Sequence, residues 1–181
     1  MAVQARRYTV EEFDRFVELP GNADRLFEYI GGEIIEVPSN PYASEIAGII
    51  FGELYIFLKG KEWGHLTGEA GGYMVSGERY APDVAFISKQ RQPALAERGY
   101  NPNPPDLAVE VLSPANDPGD MRIKIFNYLK AGTVVWIVDP EKKRVEIYAA
   151  DEAKKIGLDG VIDGGDVLPG FRLPVKELFP D

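Results

Sequence analysis

The chain contains no cysteine, which excludes disulfides and thiolate metal sites. Its single histidine, His65, stands apart from the acidic motifs described below and reads as a surface residue. No run of about 18 apolar residues occurs, so no membrane-spanning helix is expected. The opening MAVQARR lacks the apolar centre of a signal peptide, and a cytoplasmic location is the expectation. Positive charge is scarce: 20 Lys and Arg stand against 29 Asp and Glu, a net charge of −9. Nucleic-acid binders usually carry a basic surplus, because neutralising phosphates supplies most of their non-specific affinity. Tight DNA binding through basic side chains alone is therefore disfavoured, although acidic metal ligands would themselves weigh in such a balance.

What is present is globular material. A hydrophobic fraction of 45% and an aromatic fraction of 11% argue against disorder. A length of 181 residues predicts one domain over residues 1–181. A chain of that size buries roughly 70% of its unfolded surface. Thr9-Val10-Glu11-Glu12 fits a capping box and predicts a helix to about Leu19. Arg25–Ile30 and Glu33–Val37 flank Gly31-Gly32, a hairpin signal. After a break at Pro38-Ser39-Asn40-Pro41, Ala43, Ala47, Ile50, Leu54 and Phe57 recur at helical spacing up to about Lys59.

From Trp63 to Ile87 the text predicts two or three antiparallel strands, the last from Asp83 to Ile87. Ser88 to Pro104 reads as a surface excursion. Asp106 to Asp139 reads strand, helix, strand, long enough for a crossover between parallel strands. Arg144–Tyr148 alternates as a strand; strand and turn follow, with a short helix at Val175–Phe179. The expected class is α/β (α+β): a mixed central β-sheet flanked by helices, with an N-terminal helix and β-hairpin.

Three charges sit inside apolar elements. In a strand, Ala108, Glu110 and Leu112 share one face and Leu107, Val109 and Val111 the other. Glu110 is the only charge in a run apolar on both faces, where an unpaired carboxylate costs several kcal/mol. Asp83 stands between Pro82 and the apolar Val84-Ala85-Phe86-Ile87. On the next helix Lys124 falls within the stripe of Met121, Ile125, Tyr128 and Leu129, and Glu110 is its natural partner. Two carboxylates and a lysine suit phosphodiester hydrolysis, because carboxylate oxygens hold magnesium and the metal activates water. A lysine can then orient or deprotonate that water, or offset developing charge. A buried structural ion pair explains the same spacing, and spacing alone leaves both readings open.

Ordered motifs surround these residues. They are Pro82-Asp83-Val84-Ala85-Phe86, then Pro105-Asp106-Leu107-Ala108-Val109-Glu110-Val111-Leu112-Ser113-Pro114, then Asp120, Lys124 and Tyr128 at four-residue steps with Ala131-Gly132. Trp136-Ile137-Val138-Asp139-Pro140 and Asp166 to Phe171 follow, and Tyr29 to Val37 precedes. In this set, which spans nearly the whole chain, the sequence resembles the Uma family of putative restriction endonucleases, in the PD-(D/E)XK nuclease superfamily. The resemblance implies a restriction-endonuclease-like core, with Asp83, Glu110 and Lys124 catalytic. Asp83 and Glu110 would be the ligands of magnesium, with manganese as the alternative ion. The superfamily's usual lysine lies two residues after the second acid, where this chain has Leu112; Lys124 stands in for it.

Two departures concern substrate contacts. Family members often carry a histidine where this chain has Ala43, and many carry an arginine where it has Tyr80; Arg79 would face the other way. Glu45 and Glu28 are candidate accessory acids, each with the plainer reading of a solvated charge. Ser113 reads as a turn residue and Asp120 as a first-turn charge favouring the helix dipole.

The activity implied is that of a magnesium-dependent DNA endonuclease. Lys89, Arg91, Arg98 and Lys142-Lys143-Arg144 are candidates for backbone contacts. The alternative is a catalytically inactive nuclease-fold domain serving nucleic-acid binding or homodimeric assembly. The acidic balance favours that alternative.

Overall fold

Helix α1 (Val10–Val17) starts where its cap dictates: Glu12 N donates to the Thr9 hydroxyl at 3.2 Å and Thr9 N to Glu12 Oε2 at 2.9 Å. This reciprocal pair satisfies two of the helix's orphan donors. The structure, a computed structural model, describes residues 6–22, 24–37 and 40–180. The breaks at Pro38 and Ser39, and most of the opening MAVQARR, lie outside them. Strands β1 (Phe27–Ile30) and β2 (Glu33–Glu36) form the expected hairpin. Gly31 and Gly32 turn it with φ of +59° and +90°, the positive values a tight two-residue turn requires.

Helix α2 (Pro41–Leu58) is capped by Asn40, whose side chain accepts from Ala43 N at 3.1 Å. Glu45 and Glu53 interrupt its apolar text, yet α2 is long and apolar enough to cross a membrane by length and composition, with mean hydropathy 1.2 and 33% of it buried. The core helices of soluble proteins share that property.

Four strands, not two or three, follow: β3 (Gly64–Gly68), β4 (Tyr73–Val75), β5 (Glu78–Tyr80) and β6 (Val84–Ser88). They divide between two sheets, β4 and β5 joining the hairpin in the order β2-β1-β5-β4. The chain passes from one sheet to the other at Gly71-Gly72, where a Cβ on Gly72 would lie 2.3 Å from the Tyr100 ring. Residues 89–104 are irregular but anchored rather than free. Gln92 Nε2 donates to the buried Asn101 at 2.7 Å, and Tyr100 OH donates to Phe27 O at 2.6 Å.

Strand β7 (Leu107–Val111), helix α3 (Pro118–Lys130) and strand β8 (Val134–Asp139) realise the crossover, with β7 and β8 parallel. Strands β9 (Arg144–Ala149) and β10 (Glu152–Ile156) extend the sheet, and β11 (Val161–Asp163) pairs with β12 (Arg172–Pro174). Strand β10 lacks apolar alternation because it is an exposed edge, held by its ladder to β9 and carrying lysines.

The main sheet runs β10-β9-β8-β7-β6-β3, mixed as expected. Helix α2 covers one face, packing Ile46, Ile50 and Leu54 against Val84, Val109 and Trp136. The other face is shared by α3 and the four-stranded sheet, with Tyr128 and Tyr80 against Ala85, Ala108 and Val135. The seam between those two covers holds the site. Gly64→Ala should cost about 1 to 3 kcal/mol in urea unfolding, since its Cβ would lie 2.3 Å from Ile87 O and 2.7 Å from the Phe86 ring. Gly68→Ala in the same strand meets nothing within 4 Å and should stay within about 0.5 kcal/mol of the parent.

Candidate active site

Lys124 points inward because it shares the α3 face of Tyr128, and its charge is met by protein groups more than by solvent. It is 4% exposed, and the carboxylates it meets, Glu110 and Glu28, are 5% and 7% exposed. Lys124 Nζ donates to Glu110 Oε2 at 2.8 Å and to Glu28 Oε1 at 2.9 Å. Glu110 reaches it from β7 and Glu28 from β1, so the ammonium ties both sheets to α3. Tyr128 OH donates to Glu110 Oε1 at 2.9 Å, and Ala81 N to Glu28 Oε1 at 2.7 Å. The Tyr80 ring lies 5.5 Å from Nζ.

Asp83 ends the turn that leads into β6, half-buried at the rim. Its Oδ2 accepts from Val111 N at 2.6 Å, which fixes it beside Glu110 on the neighbouring strand. Asp83, Glu110, Glu28 and Lys124 line one cavity of about 140 Å³, closed by Ala43 and Ser44 of α2 and Asn116 and Asp117 before α3. Glu69, Asp117 and Asp120 line it too, and Lys124 is the only basic side chain among the described residues that do.

This surplus of acid shapes the titration. Burial pushes the Asp83 carboxyl up to about 6; Val111 N and Lys124 pull it down, and Glu28 and Glu69 add to the rise. Burial raises Glu110 above the ordinary carboxylate range against the pull of Lys124. For Lys124, burial opposes the charge, but Glu110 and Glu28 outweigh it and hold the pKa above the usual lysine value. The ammonium therefore keeps its proton. Burial and then Asp117 raise Asp120, which sits in the first turn of α3 as expected and also lines the cavity.

Four acids and bases expected from the sequence meet here: Asp83, Glu110, Lys124 and Glu28. Glu28 is no solvated hairpin charge, and alternation offered the clue, since it shares a strand face with the buried Ile30. Glu45 does not join them. It is exposed on α2, where the 100° advance per residue turns it away from the cavity-lining Ala43 and Ser44. Glu69, Asp117 and the donor role of Tyr128 carried no distinct sequence signal. Among the described residues no three His, Cys, Asp or Glu side chains converge as a ready metal cage, and Lys124 lies between two of the acids.

The expected basic contacts are largely committed elsewhere. Arg91 pairs with Asp106 at 3.0 Å and donates to the carbonyls of Pro104, Pro105 and Gly132, at the end of β7 remote from Glu110. Lys89 pairs with Glu62, Lys142 with Asp139 and Arg144 with Glu146. Arg98 is exposed. Tyr80 faces Lys124, while Arg79 pairs with Asp14 of α1 at 2.9 Å. His65 lies half-exposed at the surface, outside the site, with Nε2 2.9 Å from Pro93 O.

The profile of the Uma2 family, described as "Putative restriction endonuclease", matches residues 10–176. Among solved structures, that of "a putative nuclease belonging to DUF820" from Anabaena variabilis ATCC 29413 is similar with a TM-score of 0.79. It is 25% identical in sequence, and the match covers 92% of this chain and 96% of that one. No curated protein matches.

Two outcomes follow from the charges. Lys124→Ala, which leaves two buried carboxylates without a cation, should cost about 3 kcal/mol or more in urea unfolding, and adding Glu28→Gln should recover part of the loss. Asp83, raised from 3.8 to about 6, binds more proton folded than unfolded, so its contribution to stability falls as pH rises across that interval. Asp83→Asn should therefore stabilise the metal-free protein by roughly 1 to 2 kcal/mol at neutral pH, with the gain vanishing near pH 4.

Proposed function

The chain belongs to the Uma2 family, and from that membership we propose that it is an endodeoxyribonuclease using a divalent metal to hydrolyse phosphodiester bonds. The observation that carries this reading is the convergence of Asp83 and Glu110, from adjoining strands, on an acidic cavity whose basic group is the Lys124 ammonium. The donor set suits magnesium, which is held through one or two carboxylates and keeps several waters, so it needs no three-acid cage. The surplus acid that raises Asp83 is the charge a divalent cation offsets. Manganese suits the same oxygens.

Asp83 and Glu110 would hold the ion, Asp83 being fixed at the cavity rim by the Val111 N hydrogen bond. A divalent ion held there would supply a water of lowered pKa and polarisation of the phosphate. Tyr128 and Lys124 fix the Glu110 carboxylate by one hydrogen bond to each oxygen. Lys124, holding its proton, serves as a fixed positive charge beside the phosphate and not as the base that takes the water's proton. Glu28, anchored by Ala81 N, keeps that ammonium in place. An acidic cavity repels phosphate until a cation fills it, so DNA affinity depends on metal.

The purified protein should nick or cut plasmid DNA with magnesium or manganese and stop with chelator. Glu110→Gln, which leaves Lys124 paired with Glu28, and Lys124→Met, assayed on protein shown to be folded, should each lower the rate by about a thousandfold or more. Cleavage surviving either change would sink the assignment. Metal binding without any cleavage would leave the inactive, binding or assembly reading. The metal-induced rise in Tm should be larger at about pH 8 than at about pH 5, because Asp83 loses its proton near 6.

A further inference from the structure

We propose that two copies of this chain associate through the outer face of α2, antiparallel, about a two-fold axis at Gly52. That face is the most apolar exposed surface on the helix: Tyr55 is 57% and Ile56 67% exposed, and Ile49 is half-buried beside them. Among the described residues nothing lies within 4 Å of a Cβ placed on Gly48 or Gly52, so both positions are open. The face carries one charge at each end, Glu45 and Lys59. Both are exposed, and neither forms an ion pair among the described residues.

Their spacing names the occupant. Glu45 and Lys59 lie seven positions to either side of Gly52. An antiparallel second copy crossing at Gly52 therefore sets each Glu45 against the partner's Lys59, twice by symmetry. The same register sets Gly48 against the partner's Ile56, a small residue against a large one, and Ile49 against the partner's Tyr55, apolar on apolar. A parallel arrangement would instead place like charges together. The interval from Glu45 to Lys59 rises about 21 Å along the helix, a length two helices can share at a shallow crossing of about 20°. Gly52 brings no side chain to the axis, so the backbones can approach closely. Such an interface is self-complementary, as closed two-fold assembly requires. The other natural cover for an apolar helix face, an anionic lipid surface, is opposed by the net charge of −9 and by Glu45 and Glu53. None of this depends on the proposed reaction.

Sedimentation velocity and light scattering of the full chain at low salt should give twice the 20.1 kDa chain mass. E45K and K59E should each raise the dimer dissociation constant by about tenfold, and the E45K/K59E double variant should return it to the parent value. G52R, which puts two cations on the axis of a solvent-facing position, should give monomer with unchanged Tm. A parent protein that is monomeric at all concentrations overturns the proposal. So does a double variant no better than the singles, or a G52R protein that still dimerises. A monomer that cosediments with neutral phosphatidylcholine vesicles also overturns it and assigns the face to lipid.

Discussion

The buried ammonium of Lys124 is the constraint on which the rest of the site depends. A cation in the interior persists only where carboxylates surround it. Supplying two of them obliges β7 and β1, strands of different sheets, to converge on α3. The small sheet is thereby held over one face of the main sheet, and the hairpin that carries Glu28 becomes a wall of the cavity. Tyr128 gives Glu110 a donor on its second oxygen, and Ala81 N adds a second donor to Glu28 Oε1. Rigidity at this point follows from the cost of the alternative.

The same arithmetic of charge explains the acidity of the whole chain. Glu28, Glu69, Asp83, Glu110, Asp117 and Asp120 gather around one lysine, and most other basic groups named from the sequence are spent on pairs within the chain. A net charge of −9 is then partly local, concentrated where a divalent cation would be attracted.

Much of this was legible in the sequence. The parallel crossover, the hairpin and α2 followed from period and punctuation, and Glu110 and Lys124 stood out as charges in apolar stripes. What escaped was what depends on sheet membership. Strands β4 and β5 look like continuations of β3 and β6, yet they pair with the hairpin through contacts distant in sequence, such as Tyr29 with Arg79. That switch places the hairpin against α3, so the pairing of Glu28 with Lys124 could not be read from the sequence even though Glu28 was a candidate. Strand β10 was hidden because an exposed edge needs no apolar face. Arg91 looked like a free surface cation, and only the fold shows four partners around it.

The unequal stability of these residues has an evolutionary corollary. Glu28, Glu110 and Lys124 cannot be lost singly without stranding a buried charge, so selection for folding alone retains them. Asp83 is held against its own solvation preference, and neutralising it relieves the fold. Folding alone therefore keeps the ion triad and places no such hold on Asp83.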